Sequence, residues 1–342
     1  MESLEKALYR HETGRAQVRD DVYRKLYCLA YEASPHELFG DLDYEDSGSG
    51  ETAHAIRSHK FVTAFAGATN AARVIDSVSA DPAPGQWMTC HRAKYSSPFG
   101  EGYVYTWPFG AVIFHLAEDL ELPSLAHFAI WRTSTYRENL AWVTDELSRM
   151  LPEDRPPASY VLSAYWVHRP AWSSDALDTA LRILCIPKTL LDRDTAGPDA
   201  LGHAALVEQS LIAQGFSHPS LHAFGVKGIA TGYASWCGVV YHPLAEKRCL
   251  AEDELVSVEL ATQALWTYCT HINSEVESGR DPRVPSEYGW RFLRGVRSLL
   301  VNPRPQESEQ HRAMRNAVIK TSGLDVLLTQ AIDILRETEG RP

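Results

Sequence analysis

Ser159-Tyr-Val-Leu-Ser-Ala-Tyr-Trp-Val167 is a near-continuous apolar run that contains no glycine, proline or charge. A stretch with no polar side to turn to water belongs in a sheet covered on both faces, so it is expected to be a central strand. The chain around it alternates between two periodicities. Upstream, 60–65 is a short β run closed by Gly67, 69–79 carries Ala72, Ile75 and Val78 at helical spacing, and 86–94 reads as a strand. Then comes Tyr103-Val-Tyr-Thr-Trp107-Pro-Phe-Gly-Ala-Val-Ile-Phe-His115-Leu116, aromatic and β-branched, which Pro108 and Gly110 should divide into two strands or bend as a bulge. Residues 119–151 are expected to be mostly helical, with Leu140, Val143 and Leu147 in register, until Pro152 and the Pro156-Pro157 pair stop them. Downstream, Ser173 or Ser174 can cap a helix through Leu184, 186–191 returns as a strand, 201–214 is a helix stopped by Gly215, and 228–241 is extended. Strands separated by helices make this an α+β (mixed α/β) body, taken to span 59–250.

Two passages of that body share an order of residues. Gly102-Tyr103, Trp107 and Gly110-Ala-Val-Ile-Phe-His115-Leu-Ala-Glu118 match Gly232-Tyr233, Trp236 and Gly238-Val-Val-Tyr-His242-Pro-Leu-Ala-Glu246 once a small gap is allowed. The repeated order suggests a central sheet of two similar halves. Pockets tend to form between similar units, so Trp107, His115, Trp236 and His242 are the candidate lining of a pocket for an unknown small ligand.

From 251 to 342 the pattern is helical. Leu255, Val258, Leu265, Cys269, Ile272 and Val276 mark one long amphipathic helix that starts at the acidic Glu252-Asp-Glu254 and closes at Gly279. Trp290, Leu293, Val296 and Leu300 mark the next, and Leu324, Leu327, Leu328, Ala331, Ile334 and Leu335 the last. Arg291, Arg294 and Arg297 recur every third residue, a basic stripe that offers a face to phosphate or to the acidic remainder of the chain. The region is suited to contacts in a homodimer or with a protein partner.

Ahead of the body, 4–40 reads as short helices. Leu4 and Leu8 share a face, Gly14 stops the first helix, and Val22, Leu26 and Leu29 carry a second. Ser34 with Glu37 forms a capping box opening a third, which holds Leu38 and Phe39. The run Tyr9-Arg10-His11-Glu12-Thr13-Gly14 and the apolar spacing behind it resemble the second half of a Cro/repressor-type helix-turn-helix domain, the XRE family. The resemblance implies DNA contact through Lys6, Tyr9 and Arg10. Val18 stands where that family usually has proline, and the family's first two helices would have to be restored ahead of Met1 for the recognition helix to be pressed into a groove. Residues 1–40 hold six Lys and Arg against seven acids, so the segment lacks the positive excess that phosphate contacts need. An acidic linker of small residues, 41–58, should join it to the body.

Composition closes off several classes of function. A net charge of -11 argues against non-specific attraction to nucleic acid or anionic lipid by the chain as a whole. No signal peptide or long apolar span is evident, and the six cysteines are scattered through apolar runs, as in a reduced cytoplasmic protein with no role at a membrane. Phosphate-binding glycine loops and the Gly-x-Ser-x-Gly elbow do not occur. His218 with His222, and Cys269 with His271, have no companion pair at metal spacing, so neither a metal nor a cofactor is expected. No nucleophile comes with a base. The sequence therefore reads as an XRE-type regulator with an incomplete DNA-binding segment and a ligand- or partner-sensing body. The alternatives are an enzyme or ligand-binding module of unrecognised chemistry in that body, and a helical scaffold protein.

Overall fold

A computed structural model describes residues 53–83, 88–191, 199–244, 249–278, 293–297 and 308–339. Two compact units divide the chain, Met1–Thr52 and Ala53–Pro342. The helix-turn-helix-like segment with Lys6, Tyr9 and Arg10, the acidic stretch as far as Thr52, and Arg291 lie outside the described residues.

The second unit is α+β, built on one nine-stranded sheet. Its strands are β1 (His54–Phe65), β2 (Asp81–Pro82), β3 (His91–Ser97), β4 (Gly100–Thr106), β5 (Ala111–Leu122), β6 (Ala158–Arg169), β7 (His222–Ala223), β8 (Ala230–Ala234) and β9 (Gly238–Pro243). Their order across the sheet is β2-β3-β4-β5-β1-β6-β9-β8-β7. The apolar run 159–167 is thus the core of an inner strand, β6, antiparallel to β1 and parallel to β9. Its alternate residues serve two cores: Ala164 and Trp166 pack on one face, Tyr165 and Val167 on the other.

Helices α1 (Ala68–Ser77), α2 (Leu125–Met150), α3 (Ser174–Cys185) and α4 (Ala200–Gln214) pack with residues of the second face. Ser173 is the α3 cap, its hydroxyl accepting from the Ala176 N–H at 3.3 Å. The first face is covered by α5 (Glu252–Glu277), α6 (Glu309–Ser322) and α7 (Leu324–Glu339). Helix α5 lies between the sheet and the last two helices, and residues on every side of it are buried. Its start is tied down by Glu254, whose carboxylate accepts from the Ala251 N–H at 2.7 Å. Because α5 packs on β1, β5 and β6, the unit continues through position 250 without a boundary between body and helical region.

Local expectations fail in two places, each for a physical reason, and hold in a third. Residues 119–122 continue β5 because they pair with 54–57 of β1, which itself begins inside the stretch read as linker. The apolar 186–191 is a 3-10 turn at Pro187–Thr189, since Pro187 has no N–H for a ladder and the segment only carries the chain away from α3. Trp107-Pro-Phe-Gly110 is a tight turn between β4 and β5, closed by Gly110 N–H to Trp107 O at 2.9 Å, with Gly110 at φ 110°.

The two passages of similar sequence differ in strand pairing. Hairpins β4–β5 and β8–β9 do flank the central β1–β6 pair, yet β5 is antiparallel to β1 while β9 is parallel to β6. Phe114 also gives the first copy one residue more between its glycine and its histidine, which turns His115 and His242 to opposite faces.

Candidate functional site

The four residues expected to line one pocket are dispersed. Trp107 is buried beneath α5, within the first-face core. His115 shares that face, stacked on Phe61 with ring centroids 5.0 Å apart. His242 is on the second face by strand alternation with Val240, and its Nδ1 is 2.8 Å from Val167 O. Trp236 stands at a cavity, where it is 43% exposed in the β8–β9 turn. Of the basic stripe, Arg294 and Arg297 are exposed beside the buried Leu293 and Val296.

Two polar clusters occupy the first face, both carried by α5. At its start, the Arg57 guanidinium meets three carboxylates: Glu101 at 2.9 Å, Asp119 at 2.7 Å and Glu252 at 2.9 Å. Its planar fork of donors suits such a three-way pairing and fastens α5 to β1, β4 and β5. Glu252 Oε1 also stands 3.0 Å from His59 Nε2. His59 Nδ1 is in turn 3.0 Å from His115 Nε2. Burial, with the nearby His59, Arg57, Arg92 and Lys60, holds His115 well below the usual imidazole range, so it stays neutral. Burial works to push the Glu252 carboxyl up, but His59, Arg57 and His168 outweigh it and hold it down. This carboxylate–imidazole–imidazole series could pass a proton, but neither hollow described below reaches it. Its role is to lock the helix in place.

Two helical turns further on is the second cluster. Glu259, Gln263 and Trp266 follow at i, i+4 and i+7 and face a cavity of about 280 Å³. That is roughly twice the volume of a cavity that holds benzene. Ser159, Ser235, Trp236 and Val239 of the sheet side form another wall, and Val318, Thr321 and Ser322 of α6 complete it. Ser159 and Trp266 also border a shallower groove of about 720 Å³ that runs past Phe65, Asn70 and His271.

Glu259 has no exposed surface. Gln263 Nε2 donates to its Oε2 at 3.1 Å, whereas Glu259 Oε1 and Gln263 Oε1 are both buried without a hydrogen-bond partner among the described residues. Burial pushes the Glu259 carboxyl up to about 8, and the Gln263 hydrogen bond offsets only part of that. The hydroxyls around it are already engaged as donors: Ser235 to Cys185 O at 3.0 Å, Thr321 to Ala317 O at 2.9 Å and Ser322 to Ile319 O at 3.0 Å. At the rim, Lys188 Nζ stands 4.1 Å from the centre of the Trp236 ring.

Sequence reasoning passed over Glu259, Gln263 and Trp266. The available signal was a lone charge in Val256-Ser-Val-Glu-Leu-Ala-Thr-Gln-Ala-Leu265, four residues after the core position Leu255. A carboxylate at a core position of an apolar helix is rare unless paired. No group of three or more His, Cys, Asp or Glu side chains is arranged to hold a metal ion among the described residues, and none of the described helices is long and apolar enough to cross a membrane. No protein-family model matches the chain, and neither a search of curated proteins nor one of solved structures finds a match.

Proposed function

We propose that the unit from Ala53 onward is a small-molecule-binding sensor body, and that the chain is a cytoplasmic regulator whose N-terminal segment is of the XRE type. The observation that carries the sensor reading is the 280 Å³ cavity with the buried, half-paired Glu259 carboxyl in its wall. Leaving a carboxyl oxygen without a partner inside a core costs stability, and such local violations collect at functional sites. Rigid elements frame the cavity on three sides, which is the setting in which ligand sites are held in shape.

The regulator reading rests on the resemblance carried by Tyr9-Arg10-His11-Glu12-Thr13-Gly14, with Lys6, Tyr9 and Arg10 as the DNA-facing positions once the family's first two helices are supplied. Arg297, exposed on its helix, could meet a partner or a second copy of the chain.

The test is a screen of the full chain by ligand-detected NMR against a set of small cations, anions and neutral molecules, repeated with Thr321→Phe. Binding that the bulky ring abolishes is the expected result. If no compound binds, or if the filled variant binds as well as the parent, the cavity is not a ligand site.

A further inference from the structure

Which ligand chemistry suits this cavity follows from the direction of its hydrogen bonds. Thr321 and Ser322 each donate to a backbone carbonyl, so toward the cavity these hydroxyls have only lone pairs left, whereas Ser235 also accepts from the Cys237 and Gly238 N–H groups and is fully used within the fold. Gln263 turns an N–H to Glu259 Oε2, and its carbonyl Oε1, like Glu259 Oε1, is buried without a hydrogen-bond partner among the described residues. The protonated Glu259 and the two indoles are donors, but once Glu259 ionises the unpaired polar atoms of this wall among the described residues are acceptors. An anion would be repelled by that carboxylate, and a neutral acceptor such as a ketone would leave its charge unpaired.

A ligand with several N–H groups fits all of these atoms at once. Two tryptophans, Trp236 and Trp266, border the same space, and an indole face attracts a cation. The Lys188 ammonium held over the Trp236 ring is an instance within the molecule.

Resting on the reading of the cavity as a ligand site, we propose that it binds a small organic cation, a primary ammonium or guanidinium group on a short apolar body, with N–H donors on Glu259 Oε1 and Gln263 Oε1. Binding exchanges one cation for another. The ligand enters charged, the Glu259 carboxyl releases its proton to solvent, and a carboxylate–cation pair is left in the cavity. Glu259 is the one titratable group among the lining residues from the sheet, α5 and α6, so the proton count is one. Because that carboxyl ionises near 8 in the empty fold, the proton must be removed at neutral pH before the pair can form.

The experiment is isothermal titration of the full chain with n-butylammonium and n-butylguanidinium, and with n-butanol, butyramide and pentanoate as neutral and anionic counterparts. The cations are expected to bind, with affinity rising about tenfold per pH unit between about pH 6 and pH 8, and with about one proton released per ligand at the acidic end. Glu259→Gln, matched in shape to the protonated acid, is expected to lose at least about a hundredfold in cation affinity while still melting cooperatively. Should that variant fail to fold, Gln263→Leu removes the second acceptor and is expected to weaken cation binding by about tenfold. Butyramide or pentanoate binding as well as the cations would overturn the cation assignment and leave the ligand site standing. Cation binding without a pH slope, or undiminished in Glu259→Gln, would overturn it too. If none of the five probes binds, the assignment falls, and the screen described above decides separately whether the cavity takes any ligand.

Discussion

Glu259→Gln should stabilise the empty protein, and by an amount that grows with pH. The folded state holds the Glu259 proton more tightly than the unfolded chain does, with ionisation near 8 against 4.5. Protonation therefore favours folding. The stabilisation is complete below the unfolded value and is lost as pH rises toward the folded one, at about 1.4 kcal/mol for each pH unit. At about pH 7.5 the loss amounts to roughly 4 kcal/mol, and no solvent screening reduces it because the side chain has no exposed surface. Glutamine keeps the shape of the neutral acid and cannot ionise, so the variant escapes the penalty. Urea denaturation of both proteins, followed by circular dichroism at several pH values, measures the difference directly, since every other titrating group is common to the two. The two proteins should be nearly equal at about pH 5 and diverge steadily up to about pH 8. A difference that stays flat with pH would mean that Glu259 is ionised and solvated in the fold, and the reasoning about the cavity wall would fail with it.

Gly110→Ala should cost about 3 kcal/mol or more, since its φ is 110° and a Cβ would stand 2.6 Å from the Gly67 Cα, whereas Gly238→Ala, with nearest atoms at 3.2 Å, should cost about 1 kcal/mol. The reverse order in urea melts would refute this account of the turn. Glu118→Ala strands the Lys60 ammonium, which is fully buried and paired at 2.5 Å, and should destabilise by about 3 kcal/mol. Lys60→Met should cost less, because Glu118 is 31% exposed and can turn to water; equal losses would count against that asymmetry. Duplex DNA should bind the chain weakly, without sequence preference, and dissociate as salt rises, given the six basic and seven acidic residues in 1–40; a defined footprint at moderate salt would refute that.

Much of the sheet was legible in the sequence because burial on both faces leaves a direct trace. The run 159–167 could hardly be anything but an inner strand, and the Pro108 and Gly110 break correctly marked a turn between two strands. The failures share one cause. Period-based reading sees which residues are apolar and not which strand they pair with, so 119–122 looked like the start of α2 and 186–191 like a strand. The repeated Gly-Tyr, Trp, Gly, His order misled for the same reason. One extra residue, Phe114, is a trivial gap in an alignment, but in a strand it reverses which face every later side chain meets.

The site was hidden for a different reason. Glu252 and Glu259 lie seven residues apart on one face of α5, about 10 Å along its axis, and the sequence does not show what either carboxyl meets. Structure separates them sharply. Arg57 and His59 meet Glu252, so burial there is offset and the carboxylate stays ionised. Among the described residues Glu259 hydrogen-bonds only an amide, so burial wins and the carboxyl keeps its proton. A helix needing only to be anchored could carry leucine at the second position and gain stability. Retaining a carboxyl there, in the wall of a cavity with tryptophans at its edge, makes sense when a cation from outside the chain supplies to Glu259 what Arg57 supplies to Glu252.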